Sequence, residues 1–390
     1  MNELPSVESR PPHDGAAPPD GGNGPLGGLR VLDFTTLLPG PLATLLLAEA
    51  GATVVKVEPP GGDPVRRQGP HDAHGDSVPF QLLNRGKHLR TLDLKLSDGR
   101  DEALRLARSA DVLVEQFRPG IMDRLGLGPA TLAALNPRLI YCSITGYGQS
   151  GPNAGRAGHD LNYVADAGLL ANTAGRDGTP VMPSSLVADI GGGSWPAVIN
   201  VLLALLARER DGRGRRLDIS MADNVWPFQL VPLAQLWAGG APPAPGLEPL
   251  TGGLARYQLY ETRDGRWLAL GALEDKFFAR FAEIAGLDDA PASVGTLTRE
   301  RVARRIRERS AAEWLTLCAG EDVCLSLVRD IREAVGAATT AAVRSFAAGA
   351  IAGQGGPPPL PLPIDAGLRA RDRGAAPTRD GDADGPWPAR

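Results

Sequence analysis

The stretch LRVLDFTTLLPGPLATLLLAEAGATVVKV, residues 29–57, determines the fold class of this chain of 390 residues. Residues 29–34 and residues 53–57 are two short runs of β-forming residues. Between them, residues 41–50 are apolar over a helical length and begin with proline, which the first turn of a helix tolerates. The stretch therefore predicts a strand–helix–strand unit, and such units build parallel sheets.

The same alternation of strands and helices continues to residue 221. The sequence predicts further strands over 111–114, 139–144 and 216–221, and helices over 100–109, 129–135 and 191–208. Strands that alternate with helices are typical of the α/β class, with a doubly wound, Rossmann-like parallel sheet. We therefore assign residues 26–236 to a large α/β domain.

The composition changes after this region. Residues 237–249, WAGGAPPAPGLEP, predict a linker, and residues 250–338 predict a smaller α+β domain with a hairpin turn at Arg263-Asp264-Gly265. Residues 1–25 and residues 369–390 are rich in Pro, Gly and Asp. Such composition buries too little apolar surface to order a chain, so we predict two disordered tails.

Composition and charge argue against several classes of protein. The 41 Lys and Arg residues against 45 Asp and Glu residues give a net charge of −4 without a basic stripe, which disfavours a nucleic-acid partner. Three cysteines without a Cys-x-x-Cys pair support neither a disulfide framework nor a zinc site. The longest apolar runs, 42–48 and 198–207, are shorter than the roughly 18 residues of a spanning helix. With no signal-peptide pattern at the N-terminus, we expect a cytoplasmic protein without a membrane partner.

Motif patterns narrow the chemistry further. The turn after residues 29–34 lacks G-x-G-x-x-G, and the chain contains no G-x-x-x-x-G-K-[ST] or G-x-S-x-G motif, so dinucleotide, nucleoside triphosphate and serine hydrolase sites are not supported. The segments NRGKH (84–88) and EQFRPG (115–120) place cationic side chains beside loop residues. They suit a phosphate-bearing ligand, although solvated surface cations give the same pattern.

A histidine and three carboxylates are candidates for acid–base chemistry. His159 and Asp160 follow a glycine-flanked loop, where an imidazole beside a carboxylate suits a general acid–base pair, but a helix cap or a surface pair is the simpler interpretation. Asp189 is predicted at a strand end that faces a helix N-terminus, where a simple N-cap fits equally well. The glycines at 191–193 would let a ligand approach the backbone. Glu274, in the first turn of a predicted helix, needs no functional explanation.

Five motifs carry a family resemblance. They are GLRVLD (28–33), GATVVKVEP (51–59), TLDLK (91–95), NPRLIYCSITGYG (136–148) and GHDLNY (158–163). In these motifs, and in their order, the chain resembles the family III CoA-transferases, which include formyl-CoA and carnitine-CoA transferases and the α-methylacyl-CoA racemases.

The resemblance favours the racemase branch. Asp160 matches the position that supplies the nucleophilic carboxylate in the transferases. The racemases also have a His before that Asp, an Asp before the glycine run and a Glu in the second domain, which His159, Asp189 and Glu274 match here. The short Thr251-Gly252-Gly253 segment replaces a longer glycine loop of the transferases. The resemblance implies a racemase or epimerase of 2-methylacyl-CoA thioesters; a CoA-transferase that acts through Asp160, or a non-catalytic acyl-CoA-binding protein, is the alternative.

The resemblance also implies a mechanism and an assembly. His159 and Asp189 would exchange the roles of acid and base on the two faces of the α-carbon, with an enolate between them, and Glu274 would orient His159. In the family's fold each large domain is built from both chain ends, which implies that residues 339–368 return to the large domain, and two subunits interlock as a homodimer. One active site would then combine His159 and Asp189 of one subunit with Glu274 of the other.

Ligand-binding residues are implied in the same way. The acyl group is expected near Leu37, Leu38, Tyr163 and residues 257–260. Coenzyme A is expected as part of the substrate, with no metal and no separate cofactor. The residues expected to bind coenzyme A are Lys56, Asn84, Arg85, Lys87, Gln116, Phe117 and Arg118.

Overall fold

The computed structural model describes residues 24–175, 177–241, 244–287, 298–340, 357, 359–370, 377–379 and 387. Of the predicted tail over 1–25, residues 1–23 lie outside the described residues. The strands are β1 (Arg30–Phe34), β2 (Thr53–Glu58), β3 (His88–Thr91), β4 (Val112–Glu115), β5 (Ile140–Thr145), β6 (Arg215–Ser220), β7 (Tyr257–Glu261), β8 (Trp267–Gly271), β9 (Leu325–Leu327) and β10 (Thr378–Arg379). The helices are α1 (Pro39–Glu49), α2 (Val78–Asn84), α3 (Ser97–Arg108), α4 (Ile121–Arg124), α5 (Pro129–Leu135), α6 (Asp160–Asp166), α7 (Leu169–Asn172), α8 (Trp195–Asp211), α9 (Leu230–Trp237), α10 (Asp275–Ala285), α11 (Arg299–Ile306), α12 (Ala311–Leu317) and α13 (Ile331–Thr340).

A parallel sheet of seven strands forms the large domain, in the order β10-β3-β2-β1-β4-β5-β6. Each neighbouring pair in it is parallel, including β1 with β2 and β1 with β4. The strand–helix–strand unit predicted from residues 29–57 is β1–α1–β2. The predicted α/β class with a parallel sheet is therefore confirmed.

Helices cover both faces of this sheet. Val31 of β1 is buried in one cluster with Val201 of α8, and the next residue, Leu32, is buried in a second cluster with Leu106 of α3 and Leu132 of α5. Successive side chains of a strand point to opposite faces, so a strand covered on both sides has no polar face. Val31, Leu32 and Phe34 of β1 are accordingly apolar and buried, on both faces of the strand.

The strand order creates a crevice between β1 and β4. The chain adds β2 and β3 on one side of β1, then crosses to add β4, β5 and β6 on the other side. The loops that follow β1 and β4 therefore diverge at the carboxyl edge of the sheet. In open α/β sheets, ligands bind at this switch point.

A smaller α+β domain contains the antiparallel sheet β7-β8-β9. Helices α10, α11 and α12 pack on it around the fully buried Trp314. The indole Nε1 of Trp314 donates a hydrogen bond of 2.8 Å to the carbonyl of Ile306. The predicted second domain is thus an α+β unit with its own core.

The C-terminal segment returns to the large domain. Leu362 packs against Leu42 and Leu45 of α1, and the short strand β10 pairs with β3. Trp387 is 6% exposed, and its Nε1 donates a hydrogen bond of 3.0 Å to Ser109 Oγ. Of the predicted tail over 369–390, the structure describes residues 369–370, 377–379 and 387. One strand pairing and one large aromatic side chain hold residues 377–379 and 387 against the large domain despite the polar average composition.

One helical stretch meets the length and composition criteria for crossing a membrane. Within Ala188–Asp211, an 18-residue window has a mean hydropathy of 1.7, and 33% of that window is buried. Core helices of soluble proteins meet the same criteria, and this stretch contributes Ala197 and Val201 to the large-domain core. The largely apolar run at 198–207 is therefore only part of a longer helix.

Candidate active site

A cavity of about 510 Å³ lies at the carboxyl edge of the large sheet, at the switch point between β1 and β4. Its walls come from the loops after β1, β4, β5 and β6, together with the start of α6 and the turn before α8. It is lined by Thr36, Leu37, Pro39, Gln116, Phe117, Arg118, Pro119, Ile144, Thr145, Gly146, Ala154, Arg156, Ala157, Gly158, His159, Asn162, Tyr163, Asp189 and Met221.

The structure brings His159 and Asp189 into this one cavity. His159 immediately precedes α6, and its extended backbone (φ −128°, ψ 177°) turns the chain into the helix. Its backbone N–H donates a hydrogen bond of 3.0 Å to Asn162 Oδ1. Asp189 reaches the cavity from a π-helical turn, Ala188–Ser194, that continues into α8. The predicted strand end at Asp189 is therefore wrong: the chain is already helical there.

Asp160 holds these two segments together. Its Oδ1 accepts hydrogen bonds from the backbone N–H groups of Ala188 (2.7 Å) and Asp189 (3.0 Å). The first N–H groups of a helix have no partner within it, so a carboxylate from α6 satisfies two of them. Asp160 is 9% exposed and, among the described residues, does not belong to the lining of the cavity.

The environment of Asp189 favours its protonated form. Burial, and after it the negative charge of Asp160, raise the pKa of Asp189 to about 6, while His159 acts in the opposite direction. A carboxyl group with a pKa near neutrality is able both to take and to give a proton under physiological conditions.

The glycines that follow Asp189 serve protein packing. An added Cβ at Gly191 would lie 2.6 Å from the ring of Phe228, and one at Gly192 would lie 2.4 Å from the carbonyl oxygen of Met221. At these two glycines, protein atoms therefore occupy the space in which a ligand was expected to approach the backbone.

Gln116, Phe117 and Arg118, which the resemblance names as coenzyme A contacts, also line the cavity. The Oε1 of Gln116 accepts a hydrogen bond of 3.0 Å from the backbone N–H of Gly40, which joins the loop after β4 to the start of α1. The Arg118 side chain is exposed, and its guanidinium group forms no hydrogen bond or ion pair with another described residue. Within the described part of the chain, this guanidinium group is therefore an unpaired cation in the cavity lining.

Glu115, the last residue of β4, forms a hydrogen bond to the same loop. It is buried, and its Oε2 accepts a hydrogen bond of 2.8 Å from the backbone N–H of Phe117. Burial raises the pKa of Glu115 to about 7.

Other predicted ligand-binding residues are placed elsewhere. Lys56, Asn84 and Lys87 are fully buried and do not line the cavity. The Nζ of Lys87 contacts Asp33 Oδ2 (3.2 Å) and donates to Asn84 Oδ1 (2.9 Å), and burial lowers the pKa of Lys87 to about 8. Arg85 is partly exposed but also lies outside the lining. These placements argue against direct contact of Lys56, Asn84 and Lys87 with a ligand in this cavity.

The predicted acyl-binding residues divide in the same way. Leu37 and Tyr163 line the cavity, and the hydroxyl group of Tyr163 donates a hydrogen bond of 2.5 Å to the carbonyl of Gly158. Leu38 packs instead with the apolar cluster of α1, and residues 257–260 belong to β7 of the small domain. Within the described part of the chain, two of the four expected acyl contacts are therefore in the cavity.

Glu274 lies apart from His159 within one chain. It precedes α10 in the small domain, is exposed, and is not part of the cavity lining. Within one chain, Glu274 therefore does not share the cavity with His159.

Arg156 was missed by the sequence analysis. It lines the cavity, its Nη1 lies 2.8 Å from Asp166 Oδ2, and its guanidinium lies 5.4 Å from the ring centroid of Tyr147. The sequence signal was weak, because a single arginine in a glycine-rich loop resembles any solvated cation.

Comparisons with known proteins identify the family of the chain. CoA-transferase family III matches residues 26–381. The chain is 36% identical over 324 residues to the mouse alpha-methylacyl-CoA racemase, covering 80% of this chain and 79% of the racemase. It is 34% identical over 324 residues to the mouse succinyl-CoA:glutarate CoA-transferase, covering 79% and 73%. Its fold matches the crystal structure of a CAIB/BAIF family protein from Brucella suis with a TM-score of 0.79 and 29% identity, over 92% of this chain and 97% of that one. The chain therefore belongs to CoA-transferase family III, a superfamily of racemases and transferases.

Proposed function

We propose that this protein is a racemase or epimerase of 2-methylacyl-CoA thioesters. The observation that carries the proposal is that His159 and Asp189 line the same cavity. Asp160 lies outside this lining, and one of its carboxylate oxygens accepts hydrogen bonds from two backbone N–H groups. Inversion of a carbon next to a thioester needs an acid and a base on opposite faces, and this pair supplies both.

The proposed reaction starts with neutral His159 and protonated Asp189, or with the reverse arrangement. One residue removes the α-proton, and the electron pair of the broken C–H bond moves onto the thioester carbonyl to form an enolate. The other residue then gives its proton to the opposite face of the α-carbon. The pKa of Asp189, about 6, keeps both of its protonation states accessible near neutral pH.

The cations of the cavity suit the anionic part of coenzyme A. Arg118 is unpaired among the described residues, and Arg156 lies further along the same lining. Guanidinium groups bind phosphate through charge-assisted hydrogen bonds, so we propose Arg118 as the main phosphate contact. Coenzyme A enters as part of the substrate.

We also propose that the active protein is a homodimer. Helix α8 exposes Ile199 (55%), Leu203 (58%) and Leu206 (62%), and Trp237 at the end of α9 is 78% exposed. Large exposed apolar patches are typical of interaction surfaces. In the interlocked arrangement that the family implies, a second copy covers this surface and places its own Glu274 beside His159.

A CoA-transferase activity is the second candidate. Asp160 occupies the position of the transferase nucleophile, and transferase relatives are 34% identical to this chain. In that reaction the Asp160 carboxylate attacks the thioester, an acyl anhydride forms and CoA leaves as the thiolate. The thiolate then attacks the anhydride, which releases the first acid and forms an aspartyl thioester to CoA.

Deuterium exchange tests the proposal. One epimer of 2-methyloctanoyl-CoA is incubated with the protein in D2O, without a free carboxylic acid, and the α-proton is followed by NMR. We expect deuterium incorporation with loss of stereochemistry, and a rate lowered by about 10²- to 10⁴-fold in Asp189→Asn. The exposed Asp101→Asn on α3 is the matched control and should exchange at the wild-type rate.

If the α-proton does not exchange, and CoA moves to an added carboxylic acid, the protein is a transferase.

A further inference from the structure

The loop between β1 and α1 contains an unusual backbone conformation in the wall of the cavity. The backbone of Leu37 lies in the left-handed region, with φ 62°. Residues other than glycine, Asn and Asp rarely adopt this conformation. Leu37 also lines the cavity. A strained residue in a cavity wall persists only where its surroundings enforce it.

A buried ion pair supplies that enforcement. The Nζ of Lys56, on β2, lies 2.9 Å from Asp63 Oδ2, and both side chains are fully buried. The same Nζ donates a hydrogen bond of 2.6 Å to the carbonyl of Thr35, and Asp63 Oδ1 accepts one of 3.1 Å from the backbone N–H of Leu37. The pair therefore bonds to the backbone of Leu37 and to the backbone two residues before it.

The side chain of Leu37 is supported by the same part of the fold. It packs against Val65, Phe80 and Leu89, and Asp63 Oδ1 also accepts a hydrogen bond of 3.0 Å from the backbone N–H of Val65. Backbone and side chain of Leu37 are thus held before any ligand arrives.

A contribution to folding alone does not explain this arrangement well. Replacing a buried ion pair by apolar side chains of similar volume is often neutral for stability, because removing two charges from water offsets their attraction. Here the polar atoms of the pair are directed at the loop that forms the cavity wall.

We infer that Lys56 and Asp63 are positioning residues, whose ion pair holds Leu37 in the wall that contacts the acyl-CoA. The inference rests on the proposed function only in taking an acyl-CoA as the ligand of this cavity. It replaces the expectation that Lys56 contacts coenzyme A directly.

The test compares a double variant with a matched control. Lys56→Met with Asp63→Leu removes both charges and both bonds to the loop while retaining side-chain volume. We expect the Kd for 2-methyloctanoyl-CoA, measured by calorimetry, and its KM to rise about tenfold, with kcat within about threefold of wild type. A merely structural role would instead lower the concentration of active protein, so that the apparent kcat falls and KM stays unchanged.

Arg208→Met serves as the control. Arg208 is 4% exposed and pairs with Asp111 at 3.0 Å. This pair lies at the amino edge of the same sheet, next to the starts of β1 and β4, far from the cavity walls. We expect Arg208→Met to lower the melting temperature and leave Kd and KM unchanged.

Leu37→Ala keeps the test decisive if the double variant does not fold, because it removes the side chain from the wall and leaves the ion pair intact. Its Kd should also rise. A wild-type Kd in Leu37→Ala, or in a folded double variant, overturns the inference. A wild-type protein that binds the thioester without exchanging its α-proton overturns the proposed function alone, and one that binds no acyl-CoA overturns both.

Discussion

Asp189 illustrates how one residue serves the site at the expense of stability. Burial and the nearby negative charge of Asp160 both disfavour the ionised form of its carboxyl group. Sites that perform acid–base chemistry commonly contain such groups, because a pKa near the working pH is obtained by disfavouring the charged form.

The pH dependence of stability follows from the sign of this shift. The pKa of Asp189 is raised to about 6 in the folded protein, above its value of 3.8 in an unperturbed chain. The folded state therefore retains the proton to higher pH, and stability falls as pH rises from about 4 through 6. At 1.36 kcal/mol for each pKa unit, the loss is at most about 3 kcal/mol.

Asp189→Asn should remove this loss. We expect its free energy of unfolding, measured by urea denaturation, to exceed that of wild type at pH 8 and to approach it near pH 4. Asp101→Asn, on the exposed side of α3, should follow wild type at both pH values. A difference between Asp189→Asn and wild type that is constant with pH would contradict the assigned shift.

Replacing the Asp160 carboxylate by an amide distinguishes the two candidate reactions. In Asp160→Asn, the amide oxygen still accepts hydrogen bonds from the N–H groups of Ala188 and Asp189, so the fold is retained. Proton exchange at the α-carbon should stay within about tenfold of wild type, because the proposed proton transfer does not use this carboxylate. The pH at which exchange rises should move down, since the Asp160 charge contributes to the raised pKa of Asp189.

A transferase would respond differently. An amide does not form the acyl anhydride, so CoA transfer would be lost. Loss of α-proton exchange by more than about 10²-fold in Asp160→Asn would show that this residue takes part in the reaction.

At the scale of elements, the π-helical turn before α8 determines where Asp189 lies. Two contacts fix it: the carboxylate of Asp160 at its start, and the close approach of Gly192 to the carbonyl of Met221 after β6. A wider helical turn is a recurrent feature of functional sites. Here it lets the chain place a carboxylate at the edge of the sheet just before α8 begins.

Gly192→Ala tests that element. Its added Cβ would lie 2.4 Å from the Met221 carbonyl oxygen, so the turn must shift. We expect a loss of about 1–3 kcal/mol in the free energy of unfolding, together with slower α-proton exchange because Asp189 moves. Gly336→Ala in α13, where an added Cβ meets nothing within 4 Å, is the control and should leave both measurements unchanged. Exchange at the wild-type rate in a destabilised Gly192→Ala would show that the turn does not position Asp189.

At the scale of the whole molecule, the exposed apolar face of α8 and the placement of Glu274 lead to the same expectation. One chain contains the cavity with His159 and Asp189, and Glu274 lies in the small domain outside it. A second copy is the proposed source of the missing carboxylate.

Charges on that face should separate the copies. Light scattering should show a dimer for the wild type and a larger monomer fraction for Leu203→Glu with Leu206→Glu, and α-proton exchange should fall in proportion to the dimer. Leu96→Glu, at a leucine that is 61% exposed before α3, is the control and should remain dimeric. A fully active monomer would show that the site is complete within one chain.

The sequence alone determined the features that depend on local periodicity and on residue type. The alternation from residue 29 onward predicted the parallel sheet, and residue type singled out His159, Asp189 and residues 116–118 as candidates for the site. Parallel strands bring their carboxyl ends together, so residues that are far apart in the chain meet there without further information.

Only the tertiary structure decided the features that depend on partners distant in the chain. Lys56 and Lys87 read as ligand-binding cations in the sequence, but Asp63 and Asp33 neutralise them in the interior. The helical state of Asp189 depends on a carboxylate 29 positions earlier. The ring of Trp387 packs in the core of the large domain, and its Nε1 donates a hydrogen bond to Ser109 Oγ. Burial and hydrogen bonding across such separations set charge, pKa and order, and no local pattern contains them.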